Sequence, residues 1–150
     1  MKDVLQDNES SIGCWVSILY RYRQNYLSKR LDPYNIGSGQ HMFLLALAYN
    51  DGISQEELSE RLKLDKATTA KALKKLEDEG YVARGIDAAD KRAYQVFLTP
   101  LALRVIPLIK KAVEDWEQLI TADLSEDESF LIKQLLRKMA QNACQYKKGS

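Results

Sequence analysis

The chain has 150 residues, 45% of them hydrophobic and 29% charged, enough for one domain with a substantial core and too few for two ordinary ones. That composition excludes disordered, collagen-like and disulfide-scaffold classes. With 22 Lys and Arg against 21 Asp and Glu the net charge is +1, so a polyanionic partner has to be met by local clustering of bases.

Cys14 and Cys144 lie near opposite ends of the chain, outside any CxxC pair or spaced Cys/His cluster, so a reducing compartment is expected and no metal. The longest apolar stretch, from Met42 to Tyr49, falls well short of the roughly 20 residues of a spanning helix. Residues 1–7 carry acids and no hydrophobic segment, which argues against a secretory signal and for the cytoplasm.

In chain order, Ile12, Trp15, Val16, Leu19, Tyr22, Tyr26, Leu27 and Leu31 recur at helical spacing and predict an amphipathic helix that Asp32-Pro33 ends. A turn rich in Asn35, Gly37, Ser38 and Gly39 leads to a second helix, Gln40 to Tyr49, apolar on nearly all sides and expected in the centre of the domain. Asn50-Asp51-Gly52 stops it.

Ser54-Gln55-Glu56-Glu57 is a capping box, with the Ser54 hydroxyl facing the Glu57 amide and the Glu57 carboxylate returning to Ser54. The short helix it opens turns Leu58 and Leu62 inward. Leu64-Asp65 supplies an apolar anchor and a fresh cap for a helix to Glu79 that keeps Thr69, Ala72, Leu73 and Leu76 on one stripe and closes at Gly80. Tyr81 to Arg84 and Ala93 to Leu98 then read as strands flanking a polar turn, Gly85 to Arg92. Thr99-Pro100 opens a long helix that Pro107 is expected to kink on its way to Ile120. A second capping box, Ser125 to Glu128, starts a last helix with Ile132, Leu135, Leu136, Met139, Ala143 and Tyr146 on one stripe.

This order makes a mainly α fold with a small β-hairpin wing, a winged helix-turn-helix carrying long helices at both ends. Residues 37–99 form the expected DNA-binding lobe. Residues 1–36 and 100–150 form helices whose apolar faces need partners, each other and a second subunit, giving a homodimer.

The second helix of the motif is sized for a major groove. From Lys66 to Lys75 it carries Lys66, Lys71, Lys74 and Lys75 and no acid, whereas Glu77-Asp78-Glu79 follow in the next turn. Ala67 and Ala70 permit close approach to base edges, and Thr68 can hydrogen-bond there. A plain solvated face reads equally well on composition, since residues 54–92 hold nine bases and nine acids. In the hairpin tip, Asp90 stands two residues before Arg92, beside Lys91, where a carboxylate can preorganise the guanidinium for a narrow minor groove; a simple turn salt bridge is the alternative. Ser54 and Arg84 complete the candidate DNA contacts.

The run from Gly52 to Pro100 closely resembles the multiple-antibiotic-resistance regulator (MarR) family of transcription factors. The likeness rests on Ile53-Ser54-Gln55-Glu56-Glu57-Leu58, Asp65-Lys66-Ala67-Thr68-Thr69, Leu76-Glu77-Asp78-Glu79-Gly80-Tyr81-Val82, Asp90-Lys91-Arg92 and Leu98-Thr99-Pro100. Gly37-Ser38-Gly39-Gln40 also sits where the family has its entry to the second helix. The resemblance implies a homodimer on a double-stranded, pseudo-palindromic operator, usually a repressor, released when a small aromatic or anionic effector enters a cleft between dimer helices and DNA-binding lobe. By position it puts Thr68 and Lys71 in the major groove and Arg92, braced by Asp90, in the minor groove.

Trp15, Tyr22, Tyr26 and His41 are the residues that could line such a cleft, although dimer packing needs the same aromatic spacing. One branch of the family senses organic peroxides through a cysteine in the first helix, which singles out Cys14, with Tyr34 as a hydroxyl that could serve it, against the plainer fate of a buried thiol. A winged-helix protein-interaction module is the rival from another class. Catalysis and a cofactor are not expected: the sequence pairs no His with a carboxylate and holds no phosphate-cradling glycine loop or nucleophile motif.

Overall fold

A computed structural model describes residues 11–86 and 94–149. Helix α1, Ile12–Leu31, is capped by Ser11, whose hydroxyl accepts the Cys14 amide at 3.1 Å. Only its last turns are buried, through Leu27 and Leu31; Ile12, Trp15, Val16, Leu19 and Tyr22 stand exposed. Pro33 does not break the chain away at once. A single 3-10 turn, Asp32–Tyr34, continues the helix before Asn35 reverses direction at a φ of 57°.

Helix α2, His41–Tyr49, buries Phe43, Leu44 and Leu47 in the centre of the core. It is less enclosed than its sequence suggests, because Ala48 and Tyr49 face outward, Tyr49 at 78% exposure. The Gln40 side chain accepts the Gly37 amide at 2.9 Å and fixes the entry to α2.

Helices α3, Gln55–Leu62, and α4, Lys66–Asp78, form the helix-turn-helix. Ser54 caps α3 as expected, accepting the Glu57 amide at 3.1 Å, but the box is half formed: Arg61 takes the Glu57 carboxylate at 3.0 Å. The turn is tight because Lys63 accepts a left-handed φ of 56° and the Leu64 amide returns to the Ser59 carbonyl at 3.0 Å.

Strands β1, Val82–Ile86, and β2, Tyr94–Leu98, pair antiparallel with Val82 opposite Leu98 and Ile86 opposite Tyr94. Residues 52–54 add a third, short partner that the sequence did not announce. The Gly52 amide donates to the Val96 carbonyl and the Val96 amide to the Ile53 carbonyl, both at 2.9 Å, with Ser54 bridged to Gln95. The wing is thereby tied to the start of the helix-turn-helix. Gly52 is required: its φ is +80°, and a Cβ there would stand 2.9 Å from the Phe97 ring.

Helix α5, Pro100–Ile120, begins at the Thr99 cap and runs unbroken through Pro107. Proline costs the Leu103 carbonyl its helical partner, and Leu103 and Pro107 both lie on the solvent side, where water can serve instead. Arg30 joins α1 to α5 through Asp115 at 3.0 Å, and the Tyr26 ring packs on Trp116 with centroids 5.6 Å apart. Helix α6, Glu126–Gly149, starts at a fully reciprocal capping box: the Glu128 amide reaches the Ser125 hydroxyl at 3.1 Å and the Ser125 amide the Glu128 carboxylate at 3.0 Å. None of its described residues is buried, so Ile132, Leu135, Leu136 and Met139 form an open apolar face. No helix among the described residues is long and apolar enough to cross a membrane.

Candidate nucleic-acid interface

Local chemistry starts α4 where the motif needs it. Asp65, extended at φ −73° and ψ 161°, accepts the Thr68 amide at 2.7 Å on Oδ1 and the Thr68 hydroxyl at 2.8 Å on Oδ2. These two bonds, the amide first, hold the Asp65 carboxyl below the ordinary carboxylate range, so it is ionised at neutral pH. Thr69, Leu73 and Leu76 turn inward and are fully buried. That fixes the rotation of the helix and turns Lys66, Ala67, Thr68, Lys71, Lys74 and Lys75 to solvent, with Ala70 half-buried at the edge of the face.

The four lysines are not equivalent. Lys66 lies 3.7 Å from Glu56 of α3, and Lys74 is held by Asp78 at 2.8 Å. Among the described residues Lys71 and Lys75 have no ion-pair partner. Both line a shallow groove of about 390 Å³ between α4 and the entry to α2, together with Thr68, Gly39 and Gln40. The glycine-rich segment before α2 therefore shares a surface with the free lysines.

Arg84, on β1, points back to α4 rather than out to solvent. Its Nε is 3.3 Å from Glu77 Oε2, an ion pair without the alignment of a hydrogen bond. Ser54 serves as the α3 cap, its hydroxyl engaged by Glu57. Asp90, Lys91 and Arg92 lie in residues 87–93, outside the described residues. Sequence reasoning missed both the Glu77–Arg84 pair and the Glu56–Lys66 pair. Each joins two elements, and no periodicity within either element signals it.

Three of the four candidate effector residues, Trp15, Tyr22 and Tyr26, share one face of α1. Trp15 and Tyr22 lie on the exposed part of α1, whereas Tyr26 is packed on Trp116 and accepts from Arg30 at 2.9 Å. His41 is 1% exposed, with Nε2 3.5 Å from Arg23 Nη2. Burial first, and then the Arg23 charge, push its pKa down to about 4, so the ring is neutral near pH 7. Cys14 is half-buried near the start of α1. Tyr34 lies beyond the far end of that helix, roughly 25 Å or more along its axis at 1.5 Å per residue, and cannot serve Cys14 within one chain.

A helix-turn-helix whose second helix shows lysines and small residues to solvent, backed by a hairpin laced to its first helix, defines a winged-helix protein. The MarR family model matches residues 34–93. The HTH-type transcriptional regulator YybA of Bacillus subtilis (strain 168) is 32% identical over 95% of this chain and 89% of its own. A MarR transcriptional regulator from Methanosarcina mazei Go1 superposes with a TM-score of 0.83 at 44% identity, covering 90% of this chain and 97% of the other. A MarR family regulator from Listeria monocytogenes, solved in complex with 26mer DNA, matches with a TM-score of 0.86 at 25% identity over 94% and 97% of the two chains. The chain belongs to the MarR family of transcriptional regulators.

Proposed function

We propose that the protein is a sequence-specific DNA-binding regulator that acts as a homodimer on a pseudo-palindromic operator, most simply as a repressor that occludes the promoter. The observation that carries this reading is the outward face of α4. Lys71 and Lys75, without ion-pair partners among the described residues, share the outward face with Ala67 and Thr68, on the side opposite a fully buried stripe. Lysines of that kind neutralise phosphate and small side chains reach base edges, so affinity and sequence choice come from one surface. The DNA complex of the Listeria monocytogenes relative supports the same use of this fold.

The dimer is supported by α6. A helix with an unburied apolar stripe of Ile132, Leu135, Leu136 and Met139 is unstable alone and is covered by a second copy, bringing two copies of α4 to one duplex. Arg92, with Asp90 beside it, is assigned to the adjacent minor groove on the strength of the Asp-x-Arg resemblance. The reading places the protein with its DNA in the cytoplasm and gives it no catalytic role; release by a small aromatic or anionic effector, in a cleft between the dimer helices and the DNA-binding lobe, rests on the family resemblance.

Selection of duplexes from a random pool by the purified protein tests the proposal. A consensus with two-fold symmetry is expected, with half-sites about one helical turn apart. No enrichment, or an asymmetric single site, overturns it.

A further inference from the structure

The hydroxyl of Thr68 has its proton committed. An ionised carboxylate only accepts, so at the 2.8 Å contact between Thr68 Oγ1 and Asp65 Oδ2 the hydroxyl is the donor. The other oxygen of Asp65 takes the Thr68 amide at 2.7 Å, so one carboxylate holds both donors of this residue. Thr68 is nonetheless exposed, beside exposed Ala67 and within the groove shared with Lys71. What it shows to solvent is a methyl group and the lone pairs of Oγ1. A threonine hydroxyl is ordinarily ambivalent in a groove, able to donate to a keto oxygen or accept from an amino group. This one is not.

Resting on the DNA-binding reading above, we infer that Thr68 reads its base pair as a hydrogen-bond acceptor only, choosing an exocyclic amino group, adenine N6 or cytosine N4, with Asp65 as the positioning residue that sets this polarity. Guanine O6 and thymine O4 are refused because two acceptors would face each other. The cap of the helix and the polarity of its reader are one interaction.

The test uses the full-length protein, Thr68→Val and Asp65→Asn, on duplexes taken from the selection experiment. The pair read by Thr68 is the one whose preference Thr68→Val abolishes. In that pair single groups are deleted: purine for adenine or pyrimidin-2-one for cytosine removes the amino group, and 5-methylpyrimidin-2-one for thymine or 2-aminopurine for guanine removes the keto oxygen. Loss of the amino group is expected to weaken the parent about threefold to tenfold, the size of one hydrogen bond. Loss of the keto group costs the parent no more than it costs Thr68→Val. Asparagine at 65 still caps α4 through its carbonyl, but its amide then donates to Oγ1 and frees the hydroxyl proton, so sensitivity moves from the amino to the keto deletion.

A parent sensitive to the keto deletion overturns the inference, as does a Thr68→Val profile equal to the parent's. An Asp65→Asn protein that keeps the parent's pattern removes Asp65 from the role. If the parent selects no site at all, the DNA-binding reading fails first, and that outcome is distinct from the other three.

Discussion

The guanidinium of Arg84 on β1 lies 3.3 Å from the carboxylate of Glu77 on α4, a half-buried ion pair that ties the wing to the recognition helix. It fixes the angle between the two elements proposed to enter adjacent grooves. It also withholds from DNA a cation that the sequence offers as free.

Replacing Glu77 by Gln removes one acid from the DNA-facing lobe and releases Arg84. The pair is partly exposed, so stability falls by no more than about 1 kcal/mol. DNA affinity is expected to rise, and the slope of log affinity against log salt to steepen by about one if the freed arginine meets a phosphate. Titrations at several salt concentrations decide; an unchanged slope leaves Arg84 a structural residue only.

Lys71→Ala and Lys75→Ala should each shallow the salt slope by about 0.9, the release of one counterion. Lys74→Ala should change it less, since Asp78 already holds that ammonium at 2.8 Å. Equal slopes for all three variants contradict the distinction between free and paired lysines.

Gly52→Ala places a Cβ 2.9 Å from the Phe97 ring at a φ of +80°. Left-handed strain alone costs about 1 kcal/mol, and the ring has to move as well. Thermal unfolding should show a loss of at least that size, together with faster amide exchange at Val96, whose amide donates to Ile53. A variant as stable as the parent shows that the 52–54 segment is not a constrained part of the wing.

His41 contributes to pH dependence with a definite sign. Its folded pKa of about 4 lies below the ordinary 6.5, so the unfolded chain binds the proton more tightly. Its contribution is fully present above pH 6.5 and is lost as pH falls toward 4, by about 3 kcal/mol over that window. Denaturant curves of the parent and of His41→Gln, compared at each pH, should converge as pH falls. Parallel curves indicate that the buried ring titrates normally.

Leu135→Glu puts a charge on the open face of α6. If that face is the dimer contact, the change occurs twice in a symmetric interface and raises the dissociation constant by roughly two orders of magnitude or more. Sedimentation at micromolar protein should then show monomer. A dimer as tight as the parent's locates the interface elsewhere.

The helices were legible in the sequence because their signals act within one or two turns. Ser54, Asp65, Thr99 and Ser125 each accept an amide three residues on, and every one marks a helix start where the pattern places it. The failures are of two kinds. The capping-box pattern pairs Glu57 with Ser54, but Arg61 takes the carboxylate, because an i,i+4 cation competes for it. The third partner of the wing leaves no mark in the sequence, because residues 52–54 are too short to show alternation.

From its residues alone the chain determined the order of elements, the buried stripe of α4 and hence the lysine-bearing face opposite. Those depend on spacing and on hydrogen bonds to near neighbours, which a linear reading contains. Tertiary structure alone decided that Lys66 meets Glu56, that Arg84 turns back to Glu77, that Lys71 shares a groove with Gln40, and that Arg23 of α1 lies against the buried His41. These depend on which elements pack together, and a charge pair or a groove exists only once two segments distant in the chain have been brought within a few ångströms of each other.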